Sequence, residues 1–406
     1  MQYSQIFRLF FAARVLVVLA LGLSASMLQA TPRTPAKDAE VIERLPFRAG
    51  DTAARELAGL RAEVAKAPKA PEPAVALALR YFDLAAARGD PRYVGYADAL
   101  VGRFTGQMTA PLLVVRGMVR QYRHDFTDAL NDFAAALALD ADLAGAHAWR
   151  GAIYLVQANY ADAAKECEAL QRLQRPVLHG GCAGLTHAYT GHLDAAYKTL
   201  QQALNTTRDD DQRLWLHTRL GEVAAWQGQA AIAEQHFRQA LTLGVDDGYL
   251  LAAWSDFLLD QGRADQVIQQ LAKWEAVDGL LLRLAEAETL LKLPAAAGHI
   301  QTLSDRFGAA RLRGDTTHQA EEARFHLHLR KDAKEALRLA VENYQVQKEP
   351  RDARIVLEAA LAARDPTAAR PVTDWLQTSG FEDTVLRGLA KQLQPSSAAT
   401  TTGAAK

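Results

Sequence analysis

The chain has 406 residues, with 46 Lys or Arg against 47 Asp or Glu and a formal charge of −1. That balance argues against nucleic acid or an anionic membrane surface as a partner, since both call for a clear basic excess. Hydrophobic residues at 49% and charged ones at 23% belong to a folded chain, and 79 alanines, nearly one residue in five, favour helix throughout.

Residues 1–30 read as a secretory signal peptide. Arg8 and Arg14 precede an apolar run from Val15 to Leu23, small residues follow at Ser24, Ala25 and Ser26, and a cleavage point falls after Ala30. The run is shorter than the ~20 apolar residues a membrane span requires. Cleaved export to the periplasm is therefore expected, with a retained anchor as the rival reading. No Cys lies near the cleavage region, and the mature chain, without two arginines, carries a charge near −3. Residues 31–50, opening with TPRTPAKD, read as a leader, and no later stretch approaches the length of a span.

Residues 51–109 read as divergent helical hairpins. Asp51–Lys66 carries Leu57, Leu60 and Val64 on one face and ends at APKAPEP. Pro73–Arg88 and Arg92–Phe104 then flank a break at Gly89-Asp90-Pro91. From 110 to 275 a period appears. Gly117, Gly151, Gly184 and Gly221 lie 34, 33 and 37 residues apart, and each is followed 12 residues later by an alanine (Ala129, Ala163, Ala196, Ala233). Four residues further on stand Phe133, Cys167, Leu200 and Phe237, and a looser fifth copy runs through Ser255, Gly262, Val267 and Leu271.

This spacing describes a helix hairpin. A first helix stops at a glycine or polar residue, and a second begins with apolar residues four apart on one face. Gly117 is expected opposite Ala129, letting the helices close, with Phe133 and Phe237 plugging the seam against the next hairpin. One such hairpin cannot bury its apolar face alone, so the copies must stack.

The pattern over 110–275 resembles the tetratricopeptide repeat family. The resemblance implies an all-α fold, a right-handed α-solenoid of stacked antiparallel hairpins. It departs from the family in lacking the closing proline after Ala136 and Ala240, and in having an aromatic before the leading glycine only at Trp149. Residues 276–393 read as divergent hairpins and a cap. Gly279–Leu293 pairs with Ala295–Phe307 and Thr317–Arg330 with Ala333–Val346. Pro350–Ala363 follows, then two short helices near Pro366–Gln377 and Glu382–Gln392. The stretch from Asn343-Tyr344 to Arg354 resembles the end of exported bacterial tetratricopeptide repeat proteins of unestablished role. Residues 394–406 read as a disordered tail.

Cys167 and Cys182 are level with one another if Ala161–Leu173 and Gly180–Tyr189 are antiparallel helices. In an oxidising compartment they are candidates for a disulfide contributing about 3 kcal/mol; two buried thiols are the alternative. No phosphate loop, His-Glu-x-x-His helix, nucleophile elbow or Cys-x-x-Cys pair is present. His326 and His328, two apart on a helix, point to different sides, and Asp209-Asp210-Asp211 reads as a helix cap. The expectation is a non-enzyme with no cofactor or metal.

First helices line the concave side of such a solenoid. The frame places Met118, Tyr122, Trp149, Tyr189, Arg219, Glu222, Trp226, Tyr249 and Asp256 there, rich in the aromatic and arginine side chains that dominate interfaces. The expected function is a periplasmic protein–protein interaction scaffold or assembly adaptor holding a peptide or partner helix in this groove. The alternative is recognition of an envelope glycan or peptidoglycan strand by the groove aromatics. The protein partner and the oligomeric state stay open; nucleic acid and, after cleavage, a membrane span are not expected.

Overall fold

The computed structural model describes residues 37, 51–315 and 317–394. The expected signal peptide (1–30), the leader apart from Lys37, and the tail from 395 onward lie outside the described residues. The chain divides into two units, residues 1–55 and 56–406. The described end of the first begins helix α1 (Thr52–Lys66), where Asp51 Oδ1 accepts the Ala54 N–H at 2.9 Å.

The second unit is helix after helix, with no strand among the described residues. The first hairpin is α2 (Pro71–Arg88) and α3 (Arg92–Val101), the second α4 (Ala110–Tyr122) and α5 (Phe126–Leu139), the third α6 (Ala144–Val156) and α7 (Tyr160–Arg172). The fourth pairs α8 (Pro176–Tyr189) with α9 (Leu193–Asn205), the fifth α10 (Asp210–Trp226) with α11 (Ala230–Thr242), and the sixth α12 (Gly248–Asp260) with α13 (Ala264–Leu271). Then come α14 (Asp278–Leu290) with α15 (Ala295–Leu312), α16 (Gln319–Phe325) with α17 (Ala333–Val346), and α18 (Pro350–Ala363) with α19 (Arg370–Ser379); α20 (Thr384–Gln392) follows.

One backbone device makes every turn. Gly89, His124, Ala158, Gly191, Gly228, Gly262, Lys292, Lys331 and Arg364 all have positive φ, at intervals of 35, 34, 33, 37, 34, 30, 39 and 33 residues. In eight of the nine, all but Gly89, the next residue's N–H reaches back to a carbonyl of the last helical turn, as in Asn159 to Tyr154 at 2.7 Å and Gln229 to Ala224 at 2.8 Å. This left-handed cap satisfies carbonyls a helix end would leave bare. The repeat therefore runs through nine hairpins and reaches into both flanks.

Side chains keep the same frame. Five residues past the turn, Val94, Ala129, Ala163, Ala196, Ala233, Val267, Ala336 and Ala369 are each at most 2% exposed. Seven residues before it stand Gly117, Gly151, Gly184, Gly221, Ser255 and Ala285. Gly117 and Ala129 are both buried in the seam of their hairpin, and the glycine makes a further close contact. A Cβ on Gly117 would meet the ring of Phe133 at 2.6 Å, and one on Gly221 the ring of Phe237 at 2.9 Å. The phenylalanines seat on the glycines of their own hairpins. The eighth hairpin departs for a local reason: a π-helical turn, His326–Arg330, inserts one residue before its cap. Asp332 N–H accordingly bonds to His326 six residues back.

Cys167 on α7 and Cys182 on α8 form a disulfide with Cα atoms 5.4 Å apart, across the seam between the third and fourth hairpins. Asp209 caps α10, its carboxylate accepting the Gln212 N–H at 2.9 Å.

The last hairpins then fold back across the row. Gln347 Nε2 lies 2.9 Å from a ring nitrogen of His124, and Lys348 N–H bonds to the Val156 carbonyl at 2.8 Å. Trp375 Nε1 donates to Tyr160 at 2.7 Å. Arg354 grips Asp260 with two hydrogen bonds of 2.7 Å. These contacts lie beside the turns of the second, third and sixth hairpins, and the segment from Gly380 to Thr384 reaches the two between.

Candidate functional site

On the inner side of the row, α8, α10 and α12 face α16, α18 and the C-terminal arm (α19, α20 and the chain between them). A cleft of about 380 Å³ remains between them. Tyr189, Glu222, Trp226, Tyr249 and Asp256, all expected in the groove, line its first wall. Arg324, Arg351 and Arg354 face them, with Asp383 to Leu386 at one end.

Ion pairs stitch successive helices together along this wall. Arg219 Nη1 donates to Glu222 at 2.9 Å and to the Tyr249 hydroxyl at 2.5 Å, while that hydroxyl donates to Glu222 at 2.6 Å. The guanidinium also lies 4.3 Å from the centre of the Tyr249 ring, a cation–π contact. Arg219 thus sits behind Tyr249, held rather than free. One helix further, Asp256 accepts from Arg283 at 2.8 and 2.7 Å and from Arg324 at 2.7 Å, and Arg324 forks onto Glu286 at 2.8 and 2.7 Å. Burial works against the charge of Asp256, but the guanidinium groups of Arg283 and Arg324 outweigh it and hold the carboxyl well below the usual range. Glu358 on α18 is likewise held at about 2, against burial, by His328 and Arg354.

Three of the expected groove residues belong elsewhere. Met118 is 7% exposed and packs with Phe126, Phe133 and Ile153, and Trp149 lies against the same cluster. Both are core residues between the second and third hairpins, because their helix face turns toward the neighbouring hairpin. Tyr122, half-buried on α4, does not line the cleft. The groove is also not open along its length. Phe381 of the arm, fully buried, contacts Tyr189 and Trp226 with ring centroids 6.0 and 5.3 Å away. Sequence reasoning missed Arg324, Arg351, Arg354 and Phe381. No periodic signal marks them, since each meets its partners across a turn of the superhelix.

A group of three or more His, Cys, Asp or Glu side chains able to hold a metal is absent among the described residues. None of their helices is long and apolar enough to cross a membrane.

No family model and no curated protein matches the sequence. Among solved structures, one in the crystal structure of the APC/C hetero-tetramer Cut9–Hcn1 overlays with a TM-score of 0.52 at 13% identity, over 85% of this chain and 67% of that one. A Rap protein complexed with competence and sporulation factor gives 0.45 at 12% identity, over 84% and 93% of the two chains. A tetratricopeptide repeat protein from Parabacteroides merdae gives 0.40 at 16% identity, over 59% and 86%. Together with the nine capped hairpins, the first overlay settles the fold: the chain is an all-α solenoid of the tetratricopeptide repeat type.

Proposed function

We propose that this chain is an exported scaffold or assembly adaptor of the periplasm, which holds a peptide or helix of a protein partner along the inner side of its solenoid and carries out no catalysis. The observation behind this reading is the convergence of Tyr189, Glu222, Trp226, Tyr249 and Asp256, from three successive first helices, on one cleft that Arg351 and Arg354 face. Fixed cations, carboxylates and ring edges so arranged can pair with the amides and side chains of an extended polypeptide. Export is supported by the charged and apolar pattern of residues 1–30 and by the Cys167–Cys182 bridge, which persists in oxidising compartments. Cell fractionation and N-terminal sequencing of the mature chain test that part.

The binding reading is tested by a photo-crosslinking residue placed at Gln261, exposed on the cleft rim, and for comparison at Leu139, exposed at the end of α5. In cells, a discrete polypeptide adduct is expected at 261 only, and Arg351→Ala should remove it. Equal adducts at both positions, or none at 261, contradict the reading. An adduct abolished by glycan hydrolase would favour an envelope glycan as the ligand.

A further inference from the structure

Four residues without helical structure, Gly380–Asp383, join α19 to α20 and pass over the turns of the fourth and fifth hairpins. They engage the solenoid one side chain at a time, as a bound peptide would. The ring of Phe381 enters a notch between Tyr189 and Trp226, which come from consecutive repeats, with Trp375 of α19 against it at 5.3 Å. It meets Tyr189 and Trp226 at interplanar angles of 86° and 72°, the edge-to-face geometry aromatic pairs prefer. The next residue places its carboxylate on the start of α9, where Glu382 Oε2 accepts the Leu193 N–H at 2.9 Å. That N–H has no partner within its own helix. On the other side of the ring, the Gly380 carbonyl lies where a Cβ on Gly191 would come within 2.6 Å of it. Gly191 must therefore lack a side chain, whereas Gly380 is called for by its own φ of +69° and not by space, a Cβ on it lying 4.0 Å from the Gly191 Cα. Asp383, by contrast, spends its carboxylate on Val385 and Leu386 of its own helix. Beyond the segment the cleft continues toward Tyr249 and Asp256, so the segment fills one end of a longer groove.

We infer that the notch between the fourth and fifth hairpins is a recognition site for a short peptide of the form glycine, aromatic, glutamate, and that Gly380-Phe381-Glu382 occupies it in cis until a partner segment of the same chemistry replaces it. This rests on the scaffold reading above and names what the groove selects. The ring supplies the apolar contact, the glycine the left-handed backbone that brings its carbonyl against Gly191, and the glutamate the charge-assisted hydrogen bond at a helix start. The arm is joined to α18 through Asp365–Thr367, which are exposed.

The test uses a fluorescein-labelled synthetic peptide with the sequence of residues 377–388, titrated by anisotropy into the full-length chain and its full-length Phe381→Ala variant. The variant, whose notch is vacated, is expected to bind the peptide at least tenfold more tightly than the parent, whose notch is filled. The same peptide carrying Phe381→Ala should lose at least tenfold in affinity, one carrying Glu382→Gln several-fold, and one carrying Asp383→Asn almost none. A Phe381→Ala chain of normal helical content that ignores the peptide, or binds it equally without its ring, overturns the inference. Should that variant lose helical content, a full-length Glu382→Gln chain replaces it under the same criteria. A dimer formed by exchange of arms, seen by light scattering, would overturn the assignment to a separate partner. Because no partner enters this assay, its failure leaves the scaffold reading standing. Loss of the crosslinks at 261 with peptide binding intact would strike the scaffold reading alone.

Discussion

Replacing Gly117 by alanine adds one methyl group where the hairpin has no room for it. The new Cβ would fall 2.6 and 2.7 Å from Cε1 and Cζ of Phe133, and Phe133 is fully buried, so its ring has nowhere to swing. Overpacking a filled core costs about 1–3 kcal/mol, and contacts this short belong at the upper end. Against this stands a gain of about 1 kcal/mol when alanine replaces glycine inside a helix. The expected net effect is a loss of about 2 kcal/mol. Gly95 on α3 supplies the control. Nothing lies within 4 Å of its added Cβ, so Gly95→Ala should stabilise by up to about 1 kcal/mol. Phe133→Leu makes room, so in the double variant with Gly117→Ala the two losses should fail to add, with a coupling of about 1 kcal/mol or more. Guanidinium unfolding followed by circular dichroism, under oxidising conditions, ranks the four variants by midpoint. If Gly117→Ala raises the midpoint as Gly95→Ala does, Phe133 is not seated on that glycine and the hairpin frame is wrong.

Three further outcomes follow from particular contacts. Cys167→Ser with Cys182→Ser should lower stability by about 3 kcal/mol, the value for a loop of this size, given a sequence separation of 15; reductant should then shift the midpoint of the parent and not of the variant. Arg324→Ala strands Glu286 and leaves Asp256 to Arg283 alone, and breaking a buried pair in this way costs about 3–5 kcal/mol; an unmoved thermal midpoint would show that the network contributes nothing. His217 Nδ1 lies 3.1 Å from His236 Nδ1, whose ring meets the Tyr197 hydroxyl at 2.7 Å. Burial, then the charges of His236 and Arg213, lower His217 to about 4 from 6.5. The unfolded chain therefore takes up the proton first, and the contribution of neutral His217 is complete above pH 6.5 and lost as pH falls toward 4. His217→Phe should flatten the melting temperature over that range, and an unchanged slope would refute the assignment.

The hairpins were legible because small residues at fixed spacing leave a trace that a single chain can show. Gly117 to Gly221 and Ala129 to Ala233 give the frame directly. The flanks hid the same frame for identifiable reasons. At Lys292, Lys331 and Arg364 the left-handed turn is made without glycine, so the strongest punctuation is missing. The eight-residue helix α13 shortens one interval, and the π-helical turn at His326–Arg330 lengthens another. The groove was legible only in part. Tyr189, Glu222, Trp226, Tyr249 and Asp256 follow from the frame, while Met118 and Trp149 sit one face away from it. What covers the groove left no trace at all. Trp375 meets Tyr160 across 215 residues and Glu382 meets Leu193 across 189, and no local pattern encodes contacts of that range.

The arm's place across the row is open to one chemical measurement. A Cβ on Gly228 would lie 3.9 Å from Thr384 Oγ1, within the adjustment a disulfide allows. In the Gly228→Cys, Thr384→Cys chain, left to oxidise in air and then denatured without reductant, thiol titration is predicted to find no free thiol on the monomer. Two free thiols per monomer, with Cys167 and Cys182 still bridged, would place the arm elsewhere and contradict the closed groove.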